Sequence, residues 1–230
     1  MAASRTNESV EADGSDGSGG RAPKARQPWE RSRHPTEVRR KLVVEAARKV
    51  LAEKGLAATG IRDIAAASGV SSGTISYHFR GIDEIFVDVL KMEADLFYQP
   101  VAELSLGAPT ARQGLAVLID KYLSSDPETL THWQLWLDNW AAAIHDTRLT
   151  AWHTEQYALW RSVVERVIRR GIDGGEFAPR DAADAAVEFT AMLDGLVMQT
   201  FFTGAHLTPD EARRRLSQFV DERFGRAHPA

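Results

Sequence analysis

Apolar residues recur at helical spacing from Thr36 almost to the end of the chain, and they define the elements. The segment from Met1 to about Gln27 is different: it is rich in Ser, Gly, Asp and Ala and has no such period. It cannot bury enough apolar surface to offset its ordering entropy, so it reads as disordered. Strand signals are absent, because no long Val/Ile/Thr alternation and no Asn-Gly or Asp-Gly hairpin joins such runs. A first helix is predicted over Glu37 to Lys54, with Thr36 as N-cap and Gly55 as stop. Leu42, Val43, Ala46, Ala47, Val50 and Leu51 share its apolar face, and Arg39, Arg40, Arg48 and Lys49 take the others.

A second helix covers Ile61 to Ser68 and ends at Gly69; a third runs from Ser72 to about Phe79. Gly81 marks the next break, and a longer fourth helix starts near Ile82. Asp126-Pro127-Glu128 places a cap before a first-turn Pro, and Thr208-Pro209-Asp210-Glu211 is a capping box. Gly174-Gly175 closes a long helix of roughly Arg148 to Asp173, while Pro109, Pro179 and Gly204 punctuate the rest. The pattern yields about nine helices and no internal repeat. The predicted fold is all-α: a disordered arm (1–33), a three-helix helix-turn-helix module (34–81) and a larger helical body (82–226).

Charge changes this picture. The 230 residues carry a formal net charge of −4, which by itself argues against a nucleic-acid partner. Segment by segment the balance differs. Residues 1–20 are net −3; residues 21–80 hold 13 Lys and Arg against 5 acids, net +8; residues 81–230 are net −9. The basic part coincides with the arm (Arg21, Lys24, Arg26, Arg31, Arg33) and the three-helix module, as a phosphate-binding face requires. A flexible basic arm reads equally as a minor-groove contact or a solubilising tail. The absence of Cys excludes a disulfide framework, thiolate-bound metal and a thiol nucleophile. No apolar run reaches the ~20 residues of a membrane span, and the N-terminus has no signal-like apolar stretch, so a soluble cytoplasmic protein without membrane association is expected.

The stretch Ile61 to Phe79 holds the sharpest chemistry. Two short helices joined by a Gly-containing turn form a helix-turn-helix, with Ile64, Ala65 and Val70 fixing the crossing and Ile75 and Phe79 facing inward. Ser71, Ser72, Thr74, Ser76, Tyr77 and His78 remain as polar positions, suited to phosphates and base edges. Ser71 or Ser72 can cap the third helix. Ala46-Ala47, Gly55, Asp63-Ile64-Ala65, Gly69-Val70-Ser71-Ser72-Gly73-Thr74-Ile75 and Tyr77-His78-Phe79 together resemble the DNA-binding module of TetR-type transcriptional regulators.

The resemblance spans about fifty residues, Val38 to Leu90, without a gap. It implies double-stranded operator DNA as partner. Arg39, Arg62, Ser71, Ser72, Thr74, Ser76, Tyr77, His78 and Arg80 are the implied contact residues. Two positions depart from the family pattern. Ile82 stands where a Lys is frequent, so Arg80 takes over that phosphate contact, and Gly60 replaces a capping Thr.

The resemblance also implies a small-molecule effector and a homodimer, with no cofactor. For the effector the candidates are Phe97, Trp133, Trp136, Trp140, Tyr157, Trp160 and Met192. Taken singly, an aromatic at helical spacing belongs to the core; as a group, three Trp on one helix, continued by Ile144, suit an aromatic-lined pocket. Trp152, His145, His153 and Met198 lie nearby in sequence. No His, Asp or Glu set has metal-ligand spacing, so no metal is expected.

The Ser-Gly-x-Ile-Ser turn and the Leu193-Asp194-Gly195-Leu196 run resemble the betaine-pathway regulator subgroup, which implies a cationic or amine-type effector. For the dimer face the candidates are Phe189, Leu193, Leu196 and Val197 on a helix of about Ala182 to Phe202, and Leu216, Phe219 and Val220 on Pro209 to Phe224. Dimerisation suits two recognition helices reaching half-sites about 34 Å apart. The implied function is a repressor released from its operator by an effector, with the fourth helix as connector. The alternatives are a ligand-independent DNA-binding regulator and a helical enzyme; no nucleophile–base pair supports the latter.

Overall fold

The computed structural model describes residues 36–202 and 206–225. The predicted arm and Gly204 lie outside them. Among the described residues there are ten α-helices and no strand. In chain order they are α1 (Thr36–Lys54), α2 (Ile61–Ser68), α3 (Ser72–His78), α4 (Ile82–Glu93), α5 (Gln99–Gly107), α6 (Ala111–Tyr122), α7 (Pro127–Ala143), α8 (Thr147–Asp173), α9 (Ala182–Phe201) and α10 (Pro209–Phe224). None is long and apolar enough to cross a membrane.

The predicted caps form. Asp126 Oδ1 accepts from Thr129 N–H at 2.8 Å, and Thr208 Oγ1 accepts from Glu211 N–H while the Glu211 carboxylate accepts from Thr208 N–H. Gly175, with φ +72°, follows the end of α8 as the Gly pair implied. At α2 the missing capping side chain is offset from inside the helix, where Asp63 Oδ2 accepts from Gly60 N–H at 2.9 Å.

The fourth helix is not one uninterrupted α-helix. Between α4 and α5 lies a π turn, Ala94–Tyr98. Pro100 stands in the first turn of α5, has no N–H for the i−4 carbonyl, and crowds that carbonyl with its ring. Widening the preceding turn relieves the conflict, as π turns do inside α-helices.

Two hydrophobic cores result. The first joins Val43, Val44, Ala47 and Leu51 of α1 to Ile64, Ile75 and Phe79, and is completed by Ile85, Phe86, Val89 and Leu90 of α4 and Leu135 of α7. The module therefore does not close at Gly81. The second fills the body between α6, α7, α8, α9 and α10. Small residues let these helices approach closely: a Cβ on Gly171 of α8 would lie 2.3 Å from the Phe177 ring and 2.8 Å from Ala111 Cβ.

Three expectations are corrected. Leu42 is exposed and Ala46 half-buried, while Val44 is buried, so the α1 stripe is centred on Val43, Ala47, Val50 and Leu51. Ile144 does not continue the Trp face: α7 ends at Ala143 and Ile144 is 78% exposed. The dimer stripe is the largest correction. Phe189, Leu193, Leu196, Val197, Leu216 and Val220 are all buried inside the single chain, and Phe219 is half-buried against the same core. An apolar stripe records burial but not what buries it. Exposed on α9 instead are Val187, Ala191, Met198 and, just past its end, Phe202.

Candidate DNA-binding face and effector cavity

The helix-turn-helix is built by local bonds. Gly69, at φ +68°, ends α2 and donates to Ala65 O at 3.1 Å. Ser71 caps α3, its Oγ accepting from Thr74 N–H at 3.2 Å and lying 2.9 Å from Thr74 Oγ1. Thr74 is accordingly half-buried, with its hydroxyl engaged in the cap. Ile75 and Phe79 anchor the helix inward, which turns Ser72, Ser76 and Tyr77 to solvent.

Tyr77 is 85% exposed, a large aromatic ring held in water on a helix whose core positions are already filled. His78 meets its edge at 5.1 Å between ring centroids and is half-buried. Arg62 and Arg80 are exposed and Arg39 is half-buried. Arg40, by contrast, is a strut. Its guanidinium lies 4.2 Å over the Phe79 ring, donates to His78 O at 2.6 Å and pairs with Asp88 at 2.6 Å. It ties the end of the recognition helix to α4.

In the body, all seven predicted effector residues belong to one cluster, Trp140, Tyr157 and Met192 at its margin. They differ in what their polar atoms do. Trp133 Nε1 donates to Tyr122 O at 2.7 Å, so this ring is committed to the core. Trp136 Nε1 and Trp140 Nε1 are buried and have no hydrogen-bond partner among the described residues, and the same holds for Tyr122 OH, Asn139 Oδ1 and His132 Nε2. Five such atoms in one cluster is unusual, since buried polar groups are nearly always paired.

Beside these rings, Tyr157 OH donates to the carboxylate of Asp194. Burial pushes Asp194 up to about 6, against the pull of that bond. Tyr98 and Tyr122 are held well above the usual phenol range, by burial first, with Asp194 adding to both. They keep their protons and can donate. Trp136 stacks on Trp152 (5.8 Å), Tyr98 meets Trp136 and Trp160 edge-on at 5.2 and 5.9 Å, and His153, its pKa lowered by burial, lies 3.1 Å from Asn139 Nδ2. A cavity of about 220 Å³ opens onto Tyr98 and Trp160 between the π turn and α8, with Gln99 and Gln156 at its rim.

Sequence reasoning missed Tyr122 and His132; it placed Tyr98 among the aromatics of the body and Asp194 in the Leu193–Leu196 run, without giving the carboxylate a role. A signal existed for His132 and Asp194. Asp194 interrupts the apolar run of α9, and His132 precedes the Trp stripe on a helix otherwise read for its aromatics alone. The cluster reaches the module directly, because α7 has two working faces. One carries Trp133, Trp136 and Trp140; the other places Leu135 in the module's core and Asp138 Oδ2 2.7 Å from Leu56 N–H. The connector is thus α7 as well as α4.

The chain is similar to known proteins over both regions. Residues 43–89 match the bacterial regulatory proteins of the tetR family, and residues 111–225 match the C-terminal domain of BetI-type transcriptional repressors. The HTH-type transcriptional regulator BetI 1 of Chromohalobacter salexigens is 26% identical over 192 residues, which cover 83% of this chain and 92% of that one. The HTH-type transcriptional repressor KstR2 of Rhodococcus jostii is 26% identical over 187 residues, 80% of this chain and 90% of that one. A transcriptional regulator from Saccharomonospora viridis, solved in complex with choline, superposes with a TM-score of 0.77 at 25% identity, covering 84% of this chain and all of that one. The exposed recognition helix, the helical body and these matches agree: the chain is a DNA-binding transcriptional regulator of the TetR family with the BetI-type repressor C-terminal domain.

Proposed function

We propose that this regulator represses transcription as a dimer and is released from its operator by a small quaternary or protonated amine of the choline class. The observation that carries the reading is Asp194, a half-buried carboxylate that accepts from Tyr157 OH, whose charge acts on Tyr98 and Tyr122 of the same aromatic cluster. Aromatic faces attract a cation by their quadrupole, more strongly when water is excluded, and an ionised carboxylate supplies the counter-charge. The unpartnered N–H and O–H groups of Trp136, Trp140 and Tyr122 donate to an oxygen on the ligand. The choline complex of the Saccharomonospora viridis protein supports the same class.

On the DNA side, Tyr77, with Ser72, Ser76, Arg62 and Arg80 around it, contacts the duplex, and Ser71 and Thr74 set the start of the helix that presents it. The dimer face is the exposed stripe Val187, Ala191, Met198 and Phe202 of α9, since the deeper apolar positions are used within the subunit. The test is a choline titration followed by tryptophan fluorescence, with duplex affinity measured at each step. Saturable quenching together with weakened DNA binding is the expected result. Asp194→Asn should remove the response to choline and leave DNA binding intact. An unchanged choline affinity in that variant would overturn the role of Asp194.

A further inference from the structure

Glu93 is fully buried, yet it falls on the apolar stripe of α4 at its last residue, in line with Ile85, Phe86, Val89 and Leu90. Burying a carboxylate is costly unless both oxygens are matched. Here each oxygen has its own partner from a different part of the molecule. Arg48 Nε of α1 donates to Oε2 at 2.6 Å, and His132 Nδ1 of α7 lies 3.3 Å from Oε1. Burial pushes the Glu93 carboxyl up, but these two bonds outweigh it and hold the group below its ordinary range, so it is an ionised acceptor. Burial also holds His132 below the usual imidazole range. The neutral ring must then carry its proton on Nδ1, facing Glu93. That leaves Nε2 as a bare acceptor, buried and without a partner among the described residues. The ring is stacked 3.9 Å from Phe97 and is edged by Tyr98, Tyr122 and Trp133, inside the aromatic cluster.

We infer that Arg48, Glu93 and His132 form the transmission line between the aromatic cluster of the body and the first helix of the DNA-binding module, with His132 Nε2 as its sensing end. The inference rests on the cavity reading above and adds a requirement to it. Nε2 accepts, so it is satisfied by a ligand hydroxyl and not by a carboxylate. A quaternary ammonium has no N–H, so for such a cation the donor is a hydroxyl, and the zwitterionic acid counterpart lacks the proton that the line reads. When a hydroxyl engages Nε2, the ring shifts against Phe97, Glu93 follows its Nδ1 partner, and Arg48 carries the movement into α1. The residues are positioning residues, since none but His132 touches the ligand.

Two measurements on the full chain decide it, both with a duplex selected by the wild-type protein from random DNA. The first needs no effector. Coupling is reciprocal, so DNA binding must perturb the sensing end. With ¹⁵N-labelled histidine, the His132 ring resonances should move when duplex is added. In R48M/E93M they should stay still while the duplex still binds. This double variant replaces both charges by apolar groups, a change that buried ion pairs tolerate. A shift that persists in the double variant, or no shift in the wild type, overturns the line. The second measurement uses choline and its O-methyl ether, the same cation without the donor. Choline should weaken duplex binding by about tenfold or more, and the ether, though it binds, by less than about twofold. Glu93→Gln should bind choline and lose the release. Equal release by choline and ether overturns the hydroxyl requirement. A wild-type chain that shows no response to choline overturns the choline-class effector instead, and the histidine resonances still decide the line.

Discussion

On α3 the apolar side chains go in and the polar ones face water; in the aromatic cluster of the body both kinds are buried. Ser72, Ser76 and Tyr77 are exposed, whereas Tyr122 OH, His132 Nε2, Trp136 Nε1 and Trp140 Nε1 are enclosed without partners among the described residues. The first arrangement costs folding little, because water satisfies the polar groups until DNA arrives. The second is a standing cost, since each unmatched buried group forfeits roughly 1–3 kcal/mol. A face for a long, charged polymer can wait in solvent. The proposed site for a small cation has to exclude solvent to compete with it. The two regions therefore spend stability differently, and substitutions in them should respond differently.

The largest expected effect lies in the body. Phe189→Ala should cost about 3–5 kcal/mol of unfolding free energy, read by urea denaturation, because the ring is buried within the subunit. If it merely weakened dimerisation at unchanged monomer stability, the inward assignment of that stripe would fail. On the DNA face, Tyr77→Ala should lower operator affinity by about 2 kcal/mol and leave unfolding within about 0.5 kcal/mol of wild type. A variant that unfolds more readily but still binds DNA would reverse the comparison.

Next comes pH. Burial pushes Asp194 up to about 6 from its ordinary value of 3.8. The raised value favours the protonated acid in the folded chain, so its stabilising contribution is complete below pH 3.8 and is lost as pH rises through about 6. A cationic ligand needs the opposite form. Choline affinity should therefore rise by about tenfold between pH 5 and 7 as Asp194 ionises. Fluorescence titrations across that range check it, and Asp194→Asn should flatten most of the rise. The smallest effect is at the cap: Ser71→Ala should cost about 1 kcal/mol, seen in thermal unfolding, with DNA binding reduced through a frayed α3.

The helix-turn-helix was almost fully legible in the sequence, because its determinants are local. Gly69, the Ser71 cap and the Ile75–Phe79 spacing lie within a dozen residues and act on one another. The tryptophans of the aromatic cluster were legible as a stripe. Glu93, His132 and Asp194 were not, since each is one polar residue among apolar neighbours and acquires its meaning from partners 37 to 45 residues away. The dimer face failed for another physical reason. Phe189 and Leu193 have the period of a buried helix, and the period is the same whether the covering surface belongs to the same chain or to a second copy.

The π turn at Ala94–Tyr98 amounts to one extra residue inserted into an otherwise regular rod. Each residue of an α-helix advances the azimuth by about 100°. Removing one residue there would let the rod heal into unbroken α-helix, but everything before it would turn by about that angle relative to everything after. Glu93 would swing off His132 while Gln99 and Val101 kept their seats in the body. A single-codon deletion at this point should thus leave a folded, helical chain whose two halves no longer answer to each other.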